Sequence, residues 1–186
     1  MGESLVLSAL IAGLFSSNIV VSSGIGFELG TNNLTGAKNA SVYSLIVGVC
    51  SVFSSIVLFV LNLILKSFEV ESYFIVAALL VVAVFVQIAE YLAKKFMPLF
   101  FTQTKYFVPS LVSSLFIVLV CAFSQASNFL HLLLITMAES LGVFMVLVLV
   151  ASIRKNNSSI QKKPILNGNV LSLVILLFVM MAFTAF

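Results

Sequence analysis

Charge is what this sequence has least of. Only 8% of its 186 residues are charged, where soluble domains carry about 25%. The few charges are also kept out of long stretches. None occurs from Asn39 to Leu65, from Ser72 to Ala89, or from Tyr106 to Ala138. Glu28 alone interrupts the stretch from Ser4 to Ala37, and nothing charged follows Lys163. With 62% apolar residues and a mean hydropathy of +1.26, a single water-soluble core cannot absorb the apolar surface. A helix needs about 20 apolar residues to cross about 30 Å of hydrocarbon, and these runs supply them. The sequence reads as an all-α polytopic membrane protein.

Other scarcities narrow the function. There are two cysteines, Cys50 and Cys121, both in apolar segments and with no Cys-x-x-Cys spacing. The helix rise sets them about 10 Å apart in depth, too far for a disulfide, so they read as small buried hydrophobes. No nucleophile–base constellation or phosphate-binding loop is present, so the chain alone does not read as an enzyme. The net charge of +3 comes from lysines and an arginine in short loops. They form no basic face with interleaved aromatics, which excludes nucleic acid as a partner and leaves the lipid bilayer. The start, MGESLV, has no basic stretch before the apolar run, so the first span reads as retained rather than cleaved. Val6 stands where a myristoylation signal needs Ser or Thr.

Six spans fit, near residues 4–27, 41–65, 72–93, 106–123, 129–153 and 168–186, in a single membrane domain covering 1–186. Short polar connections join them, among them GTNNLTGAKNA, KSFEVES, AKKFMPLFFTQTK with Pro98, and SQASN. One loop is long and hydrophilic, RKNNSSIQKKPILNGN. Alternate loops differ sharply in basic residues. Lys38, Lys94, Lys95, Lys105, Arg154, Lys155, Lys162 and Lys163 fall on one side and Lys66 on the other, eight against one. By the positive-inside rule the basic side is cytoplasmic, and both termini lie outside the cell membrane.

Six spans divide into three plus three, and an odd number per half turns the halves upside down, near 1–97 and 98–186. Both halves begin with an interrupted span. Span one, LFSSNIVVSSGIGFELG, carries Ser16, Ser17, Asn18, Gly24 and Gly26 at mid-depth. Span four, FVPSLVSSL, carries Pro109, Ser113 and Ser114. Interrupted spans at matching positions mark inverted repeats whose half-helices 1 and 4 meet near the midplane. The alternative is ordinary helices with small residues at a packing face.

Taken in order, several stretches resemble the RnfA/NqrE family, integral membrane subunits of the Rnf complex and of Na⁺-pumping NADH:quinone reductase. They are NIVVSSGIGFELG, VVAVFVQIAEYLAKKFMPLFF, YFVPSLVSSL, SNFLHLLLITMAESLGVFMVLVLVASIRK and NGNVLSLVILLFVMMAFTAF, which cover essentially the whole chain. The resemblance implies six helices in two inverted halves, packed against an RnfE/NqrD-like subunit of opposite orientation. It implies other Rnf/Nqr-type partners that carry flavin. It also implies a [2Fe–2S] cluster between the two membrane subunits, held by one cysteine from each half-helix. Here the sequence departs from the family. The two ligand positions fall at Gly26 and at Leu115, six residues after Pro109, so no metal ligand and no cofactor is expected in this chain.

Three polar residues stand out as candidates on an ion pathway: Glu139, Asn18 and Glu90. An acid in the middle of span five costs roughly 2.5–3.5 kcal/mol to insert, which argues for an interior-facing group. Glu139 reads either as an ion or proton site or as a protonated acid hydrogen-bonded to a neighbour. The family pattern has no acid there. Glu90 shares a face with Gln87 and lies one turn before Lys94, as in an interfacial ion pair. His131 reads as a loop-end residue. Three functions follow: a subunit of an electron-transport-driven ion translocase, a solute carrier built on inverted repeats, or a clusterless scaffold that anchors a flavin or redox partner.

Overall fold

The structure, a computed structural model, describes residues 37–103 and 107–156, with single helical positions at 174, 177, 178 and 181. Expected span one, with Ser16, Ser17, Asn18, Gly24 and Gly26, and all of expected span six but those four positions lie outside the described residues.

The described chain is helical throughout. α1 runs Ala37–Ser67, α2 Phe74–Phe96, α3 Pro98–Gln103, α4 Phe107–Gln125 and α5 Phe129–Asn156, with a single 3₁₀ turn at Glu71–Tyr73. Among the described residues, four helices are long and apolar enough to cross a membrane, with mean hydropathies of 2.3 to 2.5. They match expected spans two to five. A helix satisfies every backbone group within itself, which hydrocarbon demands of any crossing segment.

The helix ends have local causes. α1 closes with Glu69 at φ 58°, while Val70 N–H donates to Leu65 C=O and Glu69 N–H to Lys66 C=O. This 6→1 and 5→2 pairing is a Schellman closure with a glutamate in the usual glycine position. α2 stops at Met97, which precedes Pro98 and leaves the helical region at φ −135°, ψ 58°. A proline disfavours helical backbone at the residue before it. Pro98 then opens the six-residue α3, an element not expected in the loop.

The expected interruption of span four is corrected: α4 is unbroken from Phe107 to Gln125. Pro109 is its third residue, in the first turn, where backbone N–H groups have no intrahelical acceptor to lose. The serines are absorbed as well. Ser113 Oγ donates to Pro109 C=O and Ser110 C=O, each at 3.1 Å, and Ser114 Oγ to Ser110 C=O at 2.8 Å.

α1 packs most extensively against α5, and α4 packs against α1, α2 and α5. Gly48 approaches Ser140, and the Phe59 and Phe129 rings lie 4.9 Å apart. Rising numbers on α1 thus meet falling numbers on α5, so the two are antiparallel. One end of the bundle gathers Lys38, Lys94 and Lys95 from the start of α1 and the end of α2, with Arg154 and Lys155 in the last turn of α5. The opposite end holds Lys66, Glu69 and Glu71.

Candidate functional site

A polar seam lies inside this apolar bundle. α1 buries Ser44, Ser51, Ser54 and Ser55, α4 buries Ser110 and Ser114, and α5 buries Thr136, Glu139 and Ser140. The α1 serines share one stripe with the core residues Ala40, Tyr43, Val47 and Leu58, at spacings of three and four residues. Small residues let helix backbones approach closely without an apolar driving force, which lipid does not supply. A Cβ at Gly48 would sit 3.6 Å from Ser140, an ordinary contact distance.

Most of the hydroxyls bond back to their own helices. Ser51 Oγ donates to Gly48 C=O, Ser55 to Val52, Thr136 to Leu132 and Ser140 to Met137, all at 2.8–2.9 Å. Ser44 Oγ likewise donates to Ala40 C=O. Each such hydroxyl keeps lone pairs free to accept a further donor or to face a cation. Ser54 Oγ is fully buried and has no hydrogen-bond partner among the described residues. Toward the basic end, Tyr43 Oη and Ser114 Oγ are hydrogen-bonded at 3.3 Å, joining α1 to α4.

Glu139 is fully buried at the centre of this seam. It lies ten residues into α5, about 15 Å from the helix start and so near the middle of the span. The antiparallel register sets it level with the turn from Gly48 to Ser51 of α1. The arrangement can hold a protonatable carboxyl at mid-depth among hydroxyl acceptors. The serine stripe of α1 escaped the sequence reading, although its spacing carried the signal: positions 44, 51, 54 and 55 fall on one helical face.

The remaining candidates lie apart. Glu90 pairs with Lys94 at 2.6 Å at the basic end, and Lys94 Nζ also sits 5.0 Å over the Phe101 ring. His131 lies in the first turn of α5, its Nδ1 accepting from Ser127 N–H in the preceding turn at 3.3 Å. Cys50 and Cys121 are free thiols on different helices. Leu115, where the resemblance puts the second cluster ligand, is fully buried in the apolar core. It has no donor atom, so the described residues do not fit a [2Fe–2S] cluster at that position.

Among curated proteins, none matches this chain. The family comparison is decisive: residues 6–186 match the model of the Rnf-Nqr subunit membrane proteins. The chain, with its apolar helices and buried polar seam, belongs to the Rnf-Nqr membrane-subunit family.

Proposed function

We propose that this chain is an RnfA/NqrE-type membrane subunit of an Rnf/Nqr-like, electron-transport-driven ion-translocating complex, without a [2Fe–2S] cluster of its own. The family match over residues 6–186 carries this reading. Two further features support it. The second helices of the two expected halves, α1 and α5, form the most extensive helix contact and run antiparallel, as inverted halves require. All the described basic residues but Lys66 also lie toward one end of the bundle, in keeping with a cytoplasmic face there and extracytoplasmic termini.

An RnfE/NqrD-like subunit is the first partner to seek. The chain co-purifies with such a subunit if the reading holds. A monodisperse, thermally stable monomer instead points to a solute carrier. Orientation is read by labelling Ser159→Cys and Ser127→Cys in intact cells, with Ser127→Cys reached from outside and Ser159→Cys protected.

The clusterless reading rests on Gly26, which has no side chain, and Leu115, which has no donor atom. Iron in such a cluster is held by thiolates, and a partner's pair alone leaves the set incomplete. Iron and acid-labile sulfide analysis with electron paramagnetic resonance, on the membrane pair freed of soluble subunits, is expected to show no [2Fe–2S] centre. A stoichiometric rhombic signal overturns this. Glu139 is proposed as the proton- or ion-binding group of the pathway. Glu139→Gln preserves assembly and abolishes ion transport on this reading, and unchanged transport refutes it.

A further inference from the structure

A groove runs down the outside of the bundle between α1 and α2, in the half nearer the basic end. Val42, Ile46 and Cys50 form one wall, and Ala89, Ala93 and Phe96 form the other. Its volume is about 340 Å³, and every lining side chain is apolar except for the Cys50 thiol. Eight residues separate Val42 from Cys50, which is about 12 Å along the helix. One leaflet of a bilayer core is about 15 Å thick, so the groove reaches across nearly a whole leaflet and stops near the midplane.

The rim is charged. Lys38 is exposed one turn before Val42, on the α1 side. Lys95 is exposed on the α2 side, with its Nζ 5.7 Å over the ring of Phe96, itself a wall residue. Among the described residues neither lysine makes an ion pair, whereas their neighbour Lys94 is held by Glu90. The groove therefore offers an apolar slot one leaflet long with two cations at its mouth that no acid among the described residues neutralises. Basic pockets between membrane helices on one face are suited to anionic lipid head groups.

We infer that this groove binds one anionic phospholipid of the leaflet at the basic end, its acyl chain between α1 and α2 and its head group between Lys38 and Lys95. The length favours a lipid over a helix from a partner: the slot spans about 12 Å and stops near the midplane, as an acyl chain of one leaflet does, whereas a transmembrane helix runs through both leaflets. The cation pair favours an anionic head group over a zwitterionic one. The inference stands apart from the redox reading, since the groove and its lysines are the same whichever complex the chain joins.

The test uses the full-length chain, in the assembly it purifies with, placed in nanodiscs of phosphatidylcholine with phosphatidylglycerol. Either lipid carries a photoactivatable diazirine on one acyl chain. The expected result is phosphatidylglycerol cross-linked to peptides covering residues 42–50 and 89–97, in preference to phosphatidylcholine. Each surface lysine strengthens binding of an anionic lipid about fivefold, so Lys38→Gln with Lys95→Gln weakens phosphatidylglycerol occupancy about 30-fold. Leu92→Trp, at an exposed position lining the same groove, abolishes cross-linking of both lipids there while sparing the fold. Equal labelling by the two lipids overturns the inference, as does occupancy that ignores the lysine changes. A photo-cross-linker at Leu92 that captures a partner protein in native membranes, rather than lipid, overturns it as well.

Discussion

α2 and α5 are equally apolar and sit in the bundle in opposite ways. Their spans have mean hydropathies of 2.5 and 2.4, yet over an apolar 18-residue stretch of each, 28% of one and 56% of the other is buried within the protein. α2 turns Ile75, Leu79, Leu80, Val84 and Ile88 outward and keeps Glu90, Lys94 and Lys95 near one end. α5 buries Thr136, Glu139 and Ser140 in its middle. Hydropathy thus decides which segments enter the membrane, and polar residues decide which of them goes inside the bundle. Lipid tails are as apolar as leucine, so an apolar face has little to gain by leaving them for protein. A carboxyl group has a great deal to gain.

The largest test of this comparison moves the acid. Val84 lies ten residues into α2, as Glu139 lies ten residues into α5, but Val84 is exposed to lipid. Val84→Glu is expected to cost about 2.5–3.5 kcal/mol of insertion free energy. Glu139→Gln, which keeps shape and most hydrogen bonding, is expected to leave insertion and assembly near wild type. Membrane-integrated, protease-resistant yield reads both. Equal yields for the two variants break the comparison, because depth alone would then govern and the interior of α5 would hold no advantage.

A smaller effect comes from matched leucines. Leu147 of α5 is buried in the core, and Leu80 of α2 is 64% exposed. Leu147→Ala leaves a cavity and is expected to cost about 2 kcal/mol, the low end for buried leucines because transfer to lipid is nearly neutral. Leu80→Ala is expected to change thermal unfolding in detergent hardly at all, since mobile tails fill the space. A comparable loss at Leu80 would mean that a partner packs on that face of α2.

These two helices also show what could be read from the chain and what could not. The positions of α1, α2, α4 and α5 were legible because long charge-free runs have one outcome in a bilayer. The Glu90–Lys94 pair followed from i, i+4 spacing, and the end-of-loop place of His131 from the polar SQASN before it. Glu139 was legible as interior because lipid does not tolerate it. The break in span four misled because Pro109 and the serines were weighed by type rather than by position. A proline in the first turn leaves no intrahelical hydrogen bond unmade, and serines that bond to the preceding turn do not interrupt a helix. The serine stripe of α1 was missed for the opposite reason. Single serines in an apolar run look incidental until their common face is known, and that face is set by contact with α5.

A tyrosine tests whether the seam holds the bundle together. Tyr43 is fully buried, its hydroxyl hydrogen-bonded to Ser114 and its ring edge-on to Phe107 at 6.0 Å between centroids. Tyr43→Phe keeps the ring contact and is expected to lose about 1 kcal/mol of thermal stability. Ser114→Ala is expected to lose a similar amount, and the double variant less than the sum, because both remove one interaction. Full additivity would show that the hydroxyls act through other partners and that α4 is not tied to α1 by this bond.

The smallest effects lie where α2 and α5 are entered, and they should carry opposite signs. The turn into α2 passes through Glu69 at φ 58°, in the left-handed region. That conformation costs a residue with a side chain about 1–2 kcal/mol, and a glycine almost nothing. Part of the relief is offset by glycine's greater freedom when unfolded, so Glu69→Gly is expected to stabilise by about 0.5–1 kcal/mol. The turn into α5 has no such strain to relieve. It is closed by His131 Nδ1, which accepts from Ser127 N–H and lies 3.2 Å from Ser127 Oγ. Water at this exposed site replaces most of what His131→Ala removes, so the expected loss is about 0.5 kcal/mol. Thermal unfolding in detergent, paired with protease nicking at each turn, distinguishes the two. Glu69→Gly should raise the midpoint and protect the first turn, and His131→Ala should lower the midpoint and open the second. If Glu69→Gly destabilises instead, the glutamate side chain contributes more at that corner than its backbone conformation costs. The two entrances to the membrane would then be held in the same way, by side chains.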